Sequence, residues 1–115
     1  MSNSYPRKIR LLTPFDFQTV YRNARRYTCY KSIVLVRMNG QSHPRLGISL
    51  AKKIVPNAVH RNRIKRAIRE SFRLTQGSLK GLDIIVIIKQ KIDTSDINFK
   101  TSLSEQWKKI TPKPH

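Results

Sequence analysis

Residues 60–70 read HRNRIKRAIRE, which places Arg61, Arg63, Lys65, Arg66 and Arg69 within about three helical turns, with Asn62 between the first two arginines. The stretch belongs to a helix expected from about Ala58 to Leu74, opened by Pro56-Asn57, a pair that stops the preceding segment and can cap the helix. At 100° per residue, His60, Ile64, Ala67, Ile68, Ser71, Phe72 and Leu74 share one side, and Asn62, Lys65, Arg66, Arg69 and Arg73 share the other. The apolar side requires a sheet to cover it. The polar side is almost purely cationic: Glu70 is the only acid between Val59 and Gly77, so i,i+4 ion pairs cannot balance the row. Like charges at that spacing cost a few tenths of a kcal/mol per pair, a cost that a polyanion lying on the face would offset. Arginine offers a planar fork that holds phosphate bidentately, and Asn62 adds a neutral amide able to bridge a backbone oxygen. This pattern favours nucleic acid without choosing between RNA and DNA.

The flanking segments supply the sheet. Thr13-Pro14 marks a helix start, with Thr13 as N-cap and Asp16 in the first turn, and residues 14–23 place Phe17, Val20 and Tyr21 along one side. Residues 27–31 and 32–38 read as short strands, the second rich in Ile33, Val34, Leu35 and Val36, and Asn39-Gly40 signals a turn. Residues 45–51 alternate Leu46, Ile48 and Leu50 with Gly47, Ser49 and Ala51, as in a half-buried strand that something approaches closely. After the basic helix, ended by Gly77 and Gly81, residues 83–89 read as a continuous buried strand. Asp93 to Asp96 then turns into a last helix with Leu103, Trp107 and Ile110 at core spacing. The order α-β-β-β-α-β-α defines an α+β sandwich with helices packed on one sheet.

Composition agrees with one domain. The 115 residues suffice for a single modest core, expected to be ordered from about Arg7 to about Ile110 as one domain. The 24 Lys and Arg against 6 Asp and Glu leave a formal charge of +18, which again points to a polyanionic partner. No apolar run approaches the roughly 20 residues that span a bilayer, and the basic N-terminus lacks the apolar stretch of a secretory signal. Cys29 stands alone, so no internal disulfide is expected and a cytoplasmic home fits.

Together the segments resemble a known family. Arg45-Leu-Gly-Ile-Ser-Leu-Ala-Lys-Lys53, then Arg61-Asn-Arg-Ile-Lys-Arg66 and Arg69-Glu-Ser-Phe72, with Arg10-Leu-Leu-Thr-Pro14 ahead and Trp107 behind, resemble the protein component of bacterial ribonuclease P. The resemblance implies a fold like domain 2 of ribosomal protein uS5, with a left-handed crossover around the basic helix, where general chirality rules favour the right-handed form. It implies binding to a catalytic RNA through Lys52, Lys53, Arg61, Asn62, Arg63, Lys65, Arg66 and Arg69. It also implies a cleft between the first helix and the sheet that takes the 5′ leader of precursor tRNA, with Phe17 and Tyr21 at the family's aromatic positions. On the residues alone, Phe17 and Tyr21 sit at core spacing, although aromatics beside cations also build single-strand grooves. Arg22, Arg25 and Arg26 nearby suit a phosphate track. Residues 23–31 depart from the family pattern: a glycine often found there is absent, and Tyr27 and Tyr30 appear.

The chain itself is not expected to be catalytic. Its acids Asp16, Glu70, Asp83, Asp93, Asp96 and Glu105 are scattered and suit helix-start, turn or surface positions, whereas a two-metal nuclease needs them clustered. His43, His60 and His115 have no zinc spacing, and His60 is expected to pack on the apolar side of its helix. Chemistry is assigned to the RNA subunit with its Mg²⁺, and no protein partner is required. The alternatives are a ribosomal or ribosome-associated RNA-binding protein, which would bind structured RNA without supporting leader removal, and a stand-alone endonuclease. A DNA-binding module fits less well, since no dimerising heptad repeat accompanies the basic helix.

Overall fold

The computed structural model describes residues 14–93 and 95–110. It contains helix α1 (Pro14–Asn23), strands β1 (Arg25–Cys29), β2 (Ser32–Met38) and β3 (Arg45–Ser49), helix α2 (Ala58–Thr75) with a 3₁₀ turn (Gln76–Leu79), strand β4 (Leu82–Ile88) and helix α3 (Ile97–Ile110). The element order is the expected one. Thr13, the residues 10–13 of the opening motif, the start of the expected core at Arg7 and His115 lie outside the described residues.

The four strands are ordered β1-β2-β4-β3; β2 runs antiparallel to both neighbours, and β3 pairs in parallel with β4. Adjacent parallel strands need a crossover, and α2 supplies it. Alternation along the strands then sorts side chains onto two faces. Ile33, Leu35 and Ile85 form one cluster with Val20 of α1, and Phe17 packs against it. Val34, Val36, Leu46, Ile84, Val86 and Ile88 form a second cluster with Ile64, Ile68 and Phe72 of α2 and Phe99, Leu103 and Trp107 of α3. One helix therefore covers one face, and two cover the other.

The larger core is closed where the two helices meet. Phe72 and Trp107 pack edge to face with ring centroids 6.2 Å apart, and the Trp107 indole N–H donates to Ser71 Oγ at 2.7 Å. Burying rings of this size contributes roughly 1.5–3 kcal/mol each, and the hydrogen bond removes the cost of an unpaired indole. Asn57 caps α2, its Oδ1 accepting the N–H groups of Val59 at 2.9 Å and His60 at 3.1 Å. Asp96 does the same for α3 through Asn98 and Phe99.

Three expectations are corrected. First, β1 begins at Arg25 and ends at Cys29, two residues earlier than its sequence pattern indicates. Tyr30 and Lys31 form the turn, with Lys31 in the left-handed region at φ 57° and Ser32 already paired with Cys29. Second, the apolar side of α2 is narrower than its helical projection: His60 is exposed and Leu74 is 70% exposed, because they lie near the two ends of the helix, beyond its buried stripe of Ile64, Ile68 and Phe72. Third, Asp83 is neither a turn nor a surface acid.

Asp83 is fully buried at the centre of an ionic cluster. Arg45 binds it bidentately, Nε to Oδ1 at 2.8 Å and Nη2 to Oδ2 at 2.7 Å; Asn39 Nδ2 donates to Oδ1 at 2.9 Å, and Arg37 Nη1 lies 3.8 Å from Oδ2. The register explains it: Asp83 on β4 stands opposite Arg37 on β2 and Arg45 on β3. A carboxylate so placed ties three strands together on the face that carries α1.

Candidate nucleic-acid interface

The basic helix lies on the face of the sheet opposite α1. Its stripe of Ile64, Ile68 and Phe72 is buried, which turns the other side outward. Asn62, Arg63, Arg66 and Arg69 are exposed, and Lys65 is half-buried. Arg73 and Arg61 are engaged within the protein. Arg73 forms a two-pronged pair with Glu70, its Nε 3.0 Å from Oε2, so one i,i+3 pair balances part of the charge at the helix end, a spacing that the i,i+4 argument does not cover. Hydrogen bonding from Arg73 holds the Glu70 carboxyl below its ordinary range.

Arg61 is half-buried, and its Nη1 donates to the carbonyls of Val55 at 3.0 Å and Pro56 at 2.7 Å. It thus clamps the first turn of α2 to the segment that precedes it. That segment is a helical turn, closed by Ile54 and Val55 N–H bonds to the Ala51 carbonyl at 3.0 and 3.2 Å, and it exposes Lys52 and Lys53. The clamp joins the turn and the helix into one cationic surface. Sequence reasoning saw the charge of Arg61 and missed the clamp, because the acceptors are backbone carbonyls with no sequence signature.

The other side of the sheet divides its expected residues. Phe17 is half-buried against the apolar cluster, while Tyr21 is 48% exposed and Arg22 is exposed at the end of α1. Arg26, opposite Leu35, lies on the α1 face; Arg25, opposite Val36, lies on the other. Tyr27 packs into the α2–α3 core, away from α1, and Tyr30 sits in the β1–β2 turn with Lys31 Nζ 5.1 Å from its ring centroid. The expected phosphate track therefore reduces to Arg22 and Arg26 on this face.

Four of the acids have structural partners. Besides Asp83 and Glu70, Asp96 caps α3 and lies 3.8 Å from Lys31, and Asp93 Oδ1 accepts the N–H of Ser95 at 3.0 Å and its hydroxyl at 2.9 Å. The Ser95 backbone and hydroxyl bonds, with the nearby charges of His60 and Arg63, hold the Asp93 carboxyl below its usual range. Among the described residues, no three His, Cys, Asp or Glu side chains are grouped to hold a metal ion, and no helix is long and apolar enough to cross a membrane.

A four-stranded sheet with an exposed cationic crossover helix defines a nucleic-acid-binding protein of the α+β class. Comparison with known proteins makes the assignment specific. Residues 5–111 match the ribonuclease P family. The ribonuclease P protein component of Pseudoalteromonas atlantica is 46% identical over 109 residues, covering 94% of this chain and 91% of that protein. Among solved structures, the RNase P protein of Staphylococcus aureus superposes with a TM-score of 0.77 at 38% identity, covering 89% of this chain and 94% of that one. The RNase P protein of Thermotoga maritima does so with a TM-score of 0.75 at 31% identity, covering 90% and 98%. The chain belongs to the ribonuclease P protein family. It is a subunit of an endoribonuclease that acts in tRNA processing, and its partner is the ribonuclease P RNA.

Proposed function

We propose that this chain binds the ribonuclease P RNA through α2 and the turn before it, and guides the 5′ leader of precursor tRNA along the α1 side of the sheet, while the RNA subunit performs the cleavage. The carrying observation is the outward row Asn62, Arg66 and Arg69, continued by Lys52 and Lys53 and held in one piece by Arg61. Cations of this row release counterions condensed on the RNA phosphates, so binding should weaken steeply with salt. Arg63 and Lys65 extend the surface along the same helix.

On the opposite face, Tyr21 offers a ring for stacking by a base of any identity, and Arg22 follows the backbone, as suits leaders of varied sequence. Phe17 supports this platform from below. Precursor tRNA is thus the second RNA partner, reached through a different face from the first. Mg²⁺ bound by the RNA subunit supplies the water-activating and charge-stabilising chemistry. The protein's residues neutralise phosphates, so RNA and substrate approach each other with less added cation. Glu70, Asp83, Asp93 and Asp96 are held in a pair, the buried cluster, a turn and a cap, which favours assigning the chemistry to RNA. The lone Cys29 thiol suits a reducing, cytoplasmic compartment.

The test is cleavage of end-labelled precursor tRNA at low, physiological Mg²⁺ by the chain alone, a bacterial ribonuclease P RNA alone, and both. Correct 5′ processing only in the mixture is expected. Cleavage by the chain alone would overturn the assignment of chemistry to RNA.

A further inference from the structure

We propose that the pocket between α2, the β1–β2 turn and the loop leading to α3 is a phosphate subsite, holding one unpaired nucleotide of the ribonuclease P RNA beside the basic helix. The proposal rests on the reading of α2 as the element that binds this RNA.

The pocket has a volume of about 520 Å³ and draws its cations from three elements distant in sequence: Lys31 from the turn, Arg63 from α2 and Lys91 from the loop, with His60 beside them. Asp93 is the one acid in the lining. Three cations against one carboxylate leave the lining net positive, with Asp96, outside it, 3.8 Å from Lys31. Ile64 and Ile92, 1% and 5% exposed, back the site with an apolar wall. Such a wall suits the ribose or base of a nucleotide, while the cations suit its phosphate.

Lys31 supports a use for its side chain. It occupies the left-handed region, where glycine or asparagine would be at ease, and is held there from several directions. Its carbonyl accepts the Lys89 N–H at 3.0 Å, and its Nζ lies 3.8 Å from Asp96 and 5.1 Å from the Tyr30 ring centroid. The turn fixes an ammonium in the lining of the pocket at a conformational cost that a glycine would avoid.

Position selects the RNA. His60 and Arg63 belong to α2, which packs on the face of the sheet opposite α1, so the pocket continues the surface of Asn62 and Arg66 and lies away from Tyr21 and Arg22. Its volume suits a single nucleotide, as an unstacked residue of a loop or bulge would present.

The experiment measures affinity of the full chain for ribonuclease P RNA, without substrate, over a salt series. In the variant Lys31→Gly/Lys91→Ala, glycine keeps the left-handed turn while both ammonium groups are removed. The expected result is an affinity about tenfold weaker, and a log K against log salt slope shallower by about 0.7, the share of the one single-strand phosphate that is no longer neutralised. Lys91→Ala alone, at an exposed loop position, should give about half the slope change, and thermal melting checks that each variant is folded. Lys80→Ala/Lys108→Ala removes the same charge far from the pocket and should leave the slope unchanged; an equal loss there would reduce the effect to net charge and overturn the proposal. Unchanged slope and affinity in the pocket variant, with wild-type binding intact, would overturn the subsite and leave the α2 reading standing. A loss confined to precursor tRNA binding by the assembled enzyme would also overturn it, assigning the pocket to the substrate. Failure of the wild-type chain to bind the RNA would sink the underlying reading and this one together.

Discussion

Replacing Asp83 with alanine should be among the most damaging single changes on the α1 face of the sheet. The carboxylate is fully buried, takes two hydrogen bonds from Arg45 and one from Asn39, and has Arg37 3.8 Å away. Breaking a buried pair by deleting one partner typically costs about 3–5 kcal/mol, because the other charge is left uncompensated. Arg45 and Arg37 keep 21% and 30% of their side-chain surface open to solvent, so they can partly rehydrate, which puts the cost near ~3 kcal/mol. With a urea dependence of roughly 1–3 kcal/mol per molar for a small domain, the unfolding midpoint should fall by about 1–3 M. Equilibrium urea unfolding of Asp83→Ala, Arg45→Met and the double variant forms a cycle. The double should be far less destabilised than the two singles added together, since it leaves fewer unpaired buried charges. Additive losses, or a cost for Asp83→Ala below ~1 kcal/mol, would mean that the carboxylate is in effect solvated and that the three-strand tie is not built as described.

Arg61→Ala should lower stability by about 1–2 kcal/mol through the loss of its bonds to the Val55 and Pro56 carbonyls, whereas Arg66→Ala should leave stability unchanged and weaken RNA binding; thermal melts and RNA titrations of both variants separate the roles. Asn57→Ala should cost about 1 kcal/mol in urea unfolding, as the Val59 and His60 N–H groups lose their cap. Burial pushes the Cys29 thiol above its ordinary range, against the opposing pull of Ser32, Lys109 and Ser102, so the thiolate fraction near neutral pH is reduced. Alkylation followed by mass spectrometry should be slower for folded Cys29 than for the urea-unfolded chain, with the gap closing as pH rises through the raised value.

Local pattern carried much of the fold. The bounds of α1, the stripe Ile64, Ile68 and Phe72, the Asn57 cap and the core positions Leu103, Trp107 and Ile110 all derive from helical spacing and capping chemistry. What depends on pairing between strands was not legible. Asp83 reads as an ordinary acid until the register sets it between Arg37 and Arg45, and β1 slides by two residues because Lys31 accepts a left-handed turn that sequence rules reserve for glycine or asparagine. The binding surface was legible as charge and only partly as geometry. Composition marked Arg61, Arg66 and Arg73 alike, yet one is a clamp, one is exposed and one is paired with Glu70. The angle of His60 on the helix points to packing, but helix ends overhang the core, and it lines the cationic pocket.

The two-faced division of labour is tested most directly by binding the ribonuclease P RNA and a leader-bearing precursor tRNA separately to two variants. Asn62→Ala/Arg66→Ala should weaken affinity for the catalytic RNA about tenfold or more and flatten its salt slope by about 1. Tyr21→Ala/Arg22→Ala should leave that affinity unchanged and, in the assembled enzyme, reduce the preference for precursor over leaderless tRNA. Loss of catalytic-RNA binding on the α1 side, or its retention after the α2 substitutions, would contradict the account.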